Sequence, residues 1–483
     1  MTERTYTNLI KEGNYINNAW EFQGNGETLD VVDKYHGTTM ATLPLATEAQ
    51  MEIAIQASVE GFHNYRTWSA GQRAEVLTKL RDLIEEHQDA LAQLIVDEAG
   101  KPLSYAKGEI SRCIATVEIA ARETLMFKGE IVPMDFAAGT GKTAFTKPFP
   151  IGPVACITPF NFPLNLVLHK VAPALATGCS VVIKPAPQTP LSTLALTALI
   201  EQMELPKGVF NVVNCDIPVA EKMVKDERIA KLSFTGSEKV GWYLKNIAGK
   251  KRVTLELGGN AAVVVDESAE NLPDISKTVA VGAFLYAGQI CISTQRIFVH
   301  QNIYNAFRGM LIEEIEKLKT GDPSDADVLV GPVIDHGHLK RIEQWVEDAV
   351  DGGAEVLTGG HIVSESHNVY APTLLSHTNT TMKVNCAEVF GPIAVIAPFK
   401  DFDEAIAMVN DSNYGLQAGV YTNTFAHVKQ SHEEMEVGGI MINNIPGFRI
   451  DNMPYGGIKD SGFGREGLKY AMQEMTEERL IVY

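Results

Sequence analysis

A chain of 483 residues is longer than one hydrophobic core supports, and its 45% apolar and 21% charged content is ordinary for globular protein, so two or three domains are expected. Sixty acidic against 41 basic residues leave a net charge of −19, which argues against nucleic acid or an anionic membrane as partner and leaves any bound anion to a local basic cluster. The cysteines at 113, 156, 179, 215, 291 and 386 form no C-x-x-C pair and no histidines form H-E-x-x-H, which points to a reducing, cytoplasmic setting without a structural metal.

The N-terminal stretch MTERTYTNLIKEGNYINNAW has no apolar signal core, and no segment approaches the ~18 apolar residues of a membrane span. Residues 1–45 are mixed and Gly-rich, with a strand-like piece at Thr28 to Val32, and read as an arm or hairpin ending at Pro44. From Thr47 to about Phe127 the apolar spacing is helical: Leu77, Leu80 and Ile84, then Leu91, Leu94 and Ile95. Gly100 and Pro102 end one helix. Gly129 to Thr146 breaks the helical region and has strand-like pieces on both sides, suited to pairing with another subunit.

From Ile151 to Asp266 apolar strands at Val154 to Thr158, Val181 to Lys184, Val209 to Val213, Lys231 to Phe234 and Val253 to Leu257 alternate with helical stretches. Such continuous apolar runs suit a parallel sheet covered on both faces. A second alternating set runs to about Ile450, with strands near Ala262 to Asp266, Ile297 to His300, Ile393 to Phe399, Gly419 to Thr422 and Ile440 to Asn443. Glu478 to Tyr483 form a last short strand. The fold class is therefore α/β with two parallel-sheet units and a small β segment.

Two glycine patterns are decoys. GTGKT at 139–143 has Phe136 where a P-loop needs its first glycine, and Gly462, Gly464 and Gly467 follow the turn-rich YGGIKDS instead of a buried strand. The chemically informative residues stand elsewhere, at the carboxyl ends of strands, where α/β sheets bind ligands: Asn161, Lys184, Gly236, Ser237 and Glu256. Cys291 in YAGQICISTQRIF follows an Ala-Gly break. A cysteine is more often a small buried hydrophobe than a catalyst, so this stretch alone does not decide its role.

Seven motifs together resemble the aldehyde dehydrogenase superfamily: TPFNFP around Asn161, KPAPQTP from Lys184, SFTGSEKVG from Ser233, LELGGN around Glu256, GQICIS around Cys291, EVFGPI from Glu388 and YGGIKDSGFGREG from Tyr455. They keep the family's order and spacing from about residue 15 to the end. The resemblance implies that residues 1–127 and 147–257 form a Rossmann-like dinucleotide-binding domain and 258–455 a catalytic domain. Residues 128–146 and 456–483 would be bridging segments that build a homodimer or homotetramer. It implies Cys291 as nucleophile, Asn161 as oxyanion donor, Glu256 as the base that hydrolyses a thioester, and Lys170 with Glu466 as proton relay or plain ion pair.

For NAD or NADP the implied contacts are Thr158, Pro159, Lys184, Pro187, Gly236, Ser237, Leu257, Glu388 and Phe390. NAD-preferring members often carry a glutamate at the position of Pro187, so acceptance of NADP is expected here. A glutamate at 256 favours hydrolysis over transfer to coenzyme A, the alternative reaction; a non-catalytic relative is the other alternative. Substrate positions implied by the family are Arg112, Phe162, Asn165, His169, Ile290, Ile292 and Arg449. The two arginines suit a carboxylate, sulfonate or phosphate on a small aldehyde, or else salt bridges with nearby acids such as Glu109 and Asp451.

Overall fold

The computed structural model describes residues 5–483. The helical region begins as its capping residues dictate: Thr47 with Gln50 and Ser69 with Gln72 form reciprocal capping boxes that start helices Glu48–Tyr65 and Ala70–Glu86. Helix Gln88–Ala99 stops at Gly100 in the left-handed conformation (φ 65°), and α1 (Leu103–Met126) starts after Pro102.

The first sheet is built on β1 (Val154–Ile157), β2 (Val181–Lys184), β3 (Phe210–Val212), β4 (Lys231–Thr235) and β5 (Arg252–Glu256), parallel and in the order β3-β2-β1-β4-β5. Alternation divides its residues between two cores. Val154, Cys156, Val181 and Ile183 pack under helices Ala70–Glu86, Gln88–Ala99, α1 and α2 (Asn165–Thr177), whereas Ala155, Val182, Leu232 and Val253 pack on the opposite face with Met51 and Ile55 of Glu48–Tyr65. The expected N-terminal arm is part of this sheet: Asn14–Ile16 and Ala19–Glu21 form a hairpin whose Tyr15 pairs antiparallel with Val212. On the far edge Gly462–Phe463, half of the G-x-G-x-x-G decoy, pairs antiparallel with β5.

A second sheet contains β6 (Ala262–Val265), β7 (Arg296–His300), β8 (Thr373–Ser376), β9 (Ile393–Phe399), β10 (Gln417–Tyr421) and β11 (Gly439–Ile442), parallel and in the order β8-β9-β7-β6-β10-β11. A three-stranded sheet stands apart. Ala144–Pro150 pairs with Ile131–Val132 and, along its whole length, with Thr476–Val482. Ala144–Pro150 is thus the central strand of a sheet formed within the chain, and Ile131, Leu480 and Ile481 on the two outer strands are exposed. Among the described residues, no helix is long and apolar enough to cross a membrane, and no cluster of His, Cys, Asp or Glu is arranged to hold a metal.

The carboxyl ends of the first sheet's strands and the amino ends of the second's meet at one cavity. Thr158, Lys184, Thr235 and Glu256 stand at the carboxyl ends of the first sheet's strands; Gly258, Cys291 and Phe390 precede β6, β7 and β9 of the second, and all seven line one cavity.

Candidate active site

That cavity, about 470 Å³, brings together Asn161, Glu256 and Cys291 with every residue expected at the cofactor: Thr158, Pro159, Lys184, Pro187, Gly236, Ser237, Leu257, Glu388 and Phe390. Leu166, Gln188, Thr235, His338 and Arg341 also line it and had no signal in the sequence.

Backbone geometry delivers Cys291. Tyr286, Ala287 and Gly288 are successive left-handed residues (φ 56°, 52° and 66°), and a Cβ on Gly288 would lie 2.2 Å from the Gly391 carbonyl, so only glycine serves there. The following Gln289 is wholly buried; its side chain donates to the Pro332 carbonyl (3.2 Å) and accepts from Ile334 N–H (2.8 Å). The Asn161 amide donates to the Gln289 carbonyl (3.0 Å), which holds it beside the Cys291 loop with its second hydrogen uncommitted. Gly258 and Gly259 carry the chain from β5 to β6; a Cβ on them would lie 2.3 Å from the Glu388 carboxylate and 2.8 Å from the Cys291 carbonyl. The LGGN motif is therefore a cradle for both residues.

The Cys291 sulfur lies 3.2 Å from the Tyr455 hydroxyl. Burial pushes its thiol up to about 11, against the lowering effects of that contact and of Arg449. Glu256 at the end of β5 has no hydrogen-bond partner on either carboxylate oxygen. Desolvation first, and the charge of Glu466 second, hold its carboxyl well above the usual carboxylate range. Burial also lifts Glu388 to about 7, opposed by the Gly259 N–H donating to it at 3.0 Å.

Behind Glu256 the polar groups are paired, apart from the buried Nε of Arg449. Lys170 donates to Glu466 (2.9 Å), Thr235 (2.7 Å) and Ser233 (3.2 Å), using all three ammonium hydrogens. Burial would raise Glu466, yet Lys170, His169 and Arg449 together hold it well below the ordinary range. His169 meets Asp451 (2.9 Å), Glu466 (3.3 Å) and Arg449 (2.8 Å), and Asn165 joins at 3.3 Å. Arg112 donates to Asp451 through two nitrogens (2.6 and 3.3 Å), and the Arg449 guanidinium carbon lies over the Tyr455 ring, 3.5 Å from its centre.

The seven expected substrate residues are thus divided. Asn165, His169, Arg112 and Arg449 belong to this network, Ile290 and Ile292 pack around Cys291 with Leu416 and Tyr455, and the Phe162 ring lies under the Lys101 ammonium at 3.7 Å. None lines the cavity shared by Glu256 and Cys291. Glu109 is not a partner of either arginine. It pairs with Lys101 and accepts from the N–H groups of Leu164 and Asn165 at the start of α2.

A sequence profile of the aldehyde dehydrogenase family matches residues 20–481. The chain is 42% identical over 478 residues to a 3-sulfolactaldehyde dehydrogenase of Priestia aryabhattai, covering 99% of this chain and 98% of that one. It is 37% identical over 478 residues to the NADP(+) succinate-semialdehyde dehydrogenase of Escherichia coli, covering 98% and 97% of the two chains. Among solved structures it superposes with a TM-score of 0.94 and 38% identity on aldehyde dehydrogenase 21 of Physcomitrella patens in complex with the reaction product succinate, covering 98% of each chain.

Proposed function

This chain belongs to the aldehyde dehydrogenase family, and from that premise we propose that it oxidises a small, anionic aldehyde to the free carboxylic acid with NAD or NADP. The observation that carries the reading is the meeting of Cys291, Glu256 and Asn161 in one cavity with Lys184, Ser237 and Glu388.

A dinucleotide fits the residues present. Ser237 precedes α3 (Glu238–Ile247) with no side-chain cap, so its hydroxyl and the first N–H groups of the helix are available to a pyrophosphate. Gly258 leaves room for the Glu388 carboxylate to take ribose hydroxyls. Among the described residues the Lys184 ammonium reaches only the Pro185 carbonyl (3.2 Å) and has no carboxylate paired with it, which suits a 2′-phosphate as well as a 2′-hydroxyl. When bound, the nicotinamide supplies the hydride acceptor.

The chain's own residues do the rest. Cys291, as thiolate, adds to the aldehyde carbon, and the charge passes to oxygen, where the free Asn161 amide hydrogen and the Cys291 N–H stabilise it. Oxidation leaves a thioester on Cys291. Glu256, whose unpaired buried carboxyl binds a proton strongly, takes one from water as that water attacks the thioester. Acid is released and the thiol is restored, with Glu466 and Lys170 behind Glu256 to pass the proton outward. An anionic substrate end is supported by Arg112, the partly exposed cation beside Asp451, and by relatives named for sulfolactaldehyde and succinate semialdehyde.

The test is a steady-state screen of small aldehydes, with and without a terminal anion, using each cofactor and analysing products with and without coenzyme A. Free acid from anionic aldehydes without coenzyme A is expected, with kcat/KM for NADP well within about a thousandfold of that for NAD. Acyl-coenzyme A as the product, or no turnover of any aldehyde, refutes the reading.

A further inference from the structure

We propose that Tyr455 is a positioning residue for the nucleophile: its hydroxyl holds the Cys291 sulfur, and Arg449, stacked on its ring, fixes and polarises that hydroxyl. The inference rests on Cys291 being the nucleophile and adds a residue that neither the motif pattern nor the cofactor cavity assigns.

Tyr455 and Cys291 are 164 positions apart, yet Oη and Sγ lie 3.2 Å from each other. Among the described residues no other group hydrogen-bonds this sulfur; the Asn161 amide gives one hydrogen to the Gln289 carbonyl and keeps the other for the substrate oxygen. Hydrocarbon of Ile290, Ile292 and Leu416 packs around Cys291, which also lines the cavity. A hydroxyl in that setting donates to a thiolate, and hydrogen bonds to charged groups are the strong ones.

The phenol is itself held from two directions. Tyr455 and Glu466 exchange backbone hydrogen bonds of 3.1 and 2.7 Å, and the Glu466 carboxylate, with His169, anchors the guanidinium that covers the ring at 3.5 Å. A cation on the ring face draws electron density from the phenol and makes its O–H a better donor. The charged or titratable groups around the sulfur are Tyr455, Arg449, Glu388, Glu256 and Tyr105; the two carboxyls oppose a thiolate, and Tyr455 is the largest influence in its favour.

The kinetic consequence has a definite sign. Removing the donor raises the thiol pKa, and each unit lowers the thiolate fraction tenfold while raising intrinsic nucleophilicity only about threefold. Below the thiol pKa the net result is a reaction about threefold slower per unit.

The experiment is the pH dependence of iodoacetamide alkylation at Cys291 in the full-length enzyme, wild type against Tyr455→Phe, which keeps the ring and its guanidinium partner. The apparent thiol pKa should rise by about one unit or more, with alkylation at neutral pH slowed about threefold and the acid limb of kcat/KM moved the same way. A folded Tyr455→Phe enzyme with the wild-type profile overturns the proposal, because a merely structural tyrosine would not move it. Should that variant fail to fold, Arg449→Met is the test: a smaller rise is expected, and an unchanged profile overturns it. If wild-type enzyme oxidises no aldehyde, the functional reading has failed; if it does and only the profiles coincide, this inference alone has failed.

Discussion

Glu256 and Glu466 are both wholly buried and both feel Lys170 and Arg449, yet one binds its proton far more tightly than usual and the other far less. The difference lies in their partners. Glu466 accepts from Lys170 and meets His169 and Arg449; Glu256 has no partner on either oxygen and faces a cavity that it shares with Cys291. A buried charge with its hydrogen bonds filled is part of the scaffold, and one left unfilled is held ready for a transient partner. The molecule thus has a saturated region, the network from Lys170 through Asp451 to Arg112, and an unsaturated one, the cavity wall of Cys291, Glu256 and Lys184. The two regions should answer mutation in opposite ways.

The largest effect falls on the unsaturated side. Glu256→Gln should lower kcat by about 10²–10⁴-fold while leaving one equivalent of reduced cofactor released per site in a rapid burst, because only hydrolysis is removed. The same substitution should raise stability at neutral pH by about 1–3 kcal/mol. The sign follows from linkage: a carboxyl whose folded pKa lies above its unfolded value of 4.5 favours folding only while protonated, and that contribution is lost as pH rises. Gln has no proton to lose, so the gain over wild type should grow with pH. Thermal unfolding from acid to neutral pH measures it, and a destabilised Gln variant would mean that the carboxylate is paired after all.

On the saturated side the ordering reverses. Glu466→Gln should cost about 3–5 kcal/mol by leaving Lys170 buried without its counter-charge. Here the folded pKa is depressed, so the stabilisation is complete above the unfolded value of 4.5 and disappears as pH falls through the folded one. Wild type and variant should therefore converge in acid, and a gap independent of pH in denaturant titrations would show that the pair contributes packing alone.

This contrast also explains what the sequence could reveal. Cys291, Glu256 and Asn161 were legible because each is a reactive residue type at a strand end or a Gly break, and the motifs around them keep a fixed order. Gly258 and Gly259 were legible as a motif but not as a cradle, since their close approach to Glu388 and Cys291 exists only after two sheets meet. Tyr455 stood in a quoted motif and carried no signal, because an aromatic beside two glycines reads as turn packing. Arg112 had two acids in view, and Glu109, three residues away, was a natural choice. It lost because the free N–H groups at the start of α2 and the Lys101 ammonium already fill its oxygens, which leaves Asp451 to the arginine.

The smallest expected effect tests where the two regions touch. Arg449 is nearly sealed, with 6% of its side chain exposed and its guanidinium engaged by His169, Glu466 and Tyr455, whereas Arg112 keeps 29% exposure beside Asp451. Of the two arginines Arg112 is the one open to solvent, so the substrate contact expected of both is proposed for Arg112. Arg112→Gln should raise KM about tenfold for an aldehyde with a terminal carboxylate or sulfonate, a loss of about 1.4 kcal/mol, and leave KM for a neutral aldehyde of equal length unchanged. An equal rise for both aldehydes would instead mean that Arg112 serves only to neutralise Asp451, and the specificity determinant would have to be sought on the cavity side of Cys291.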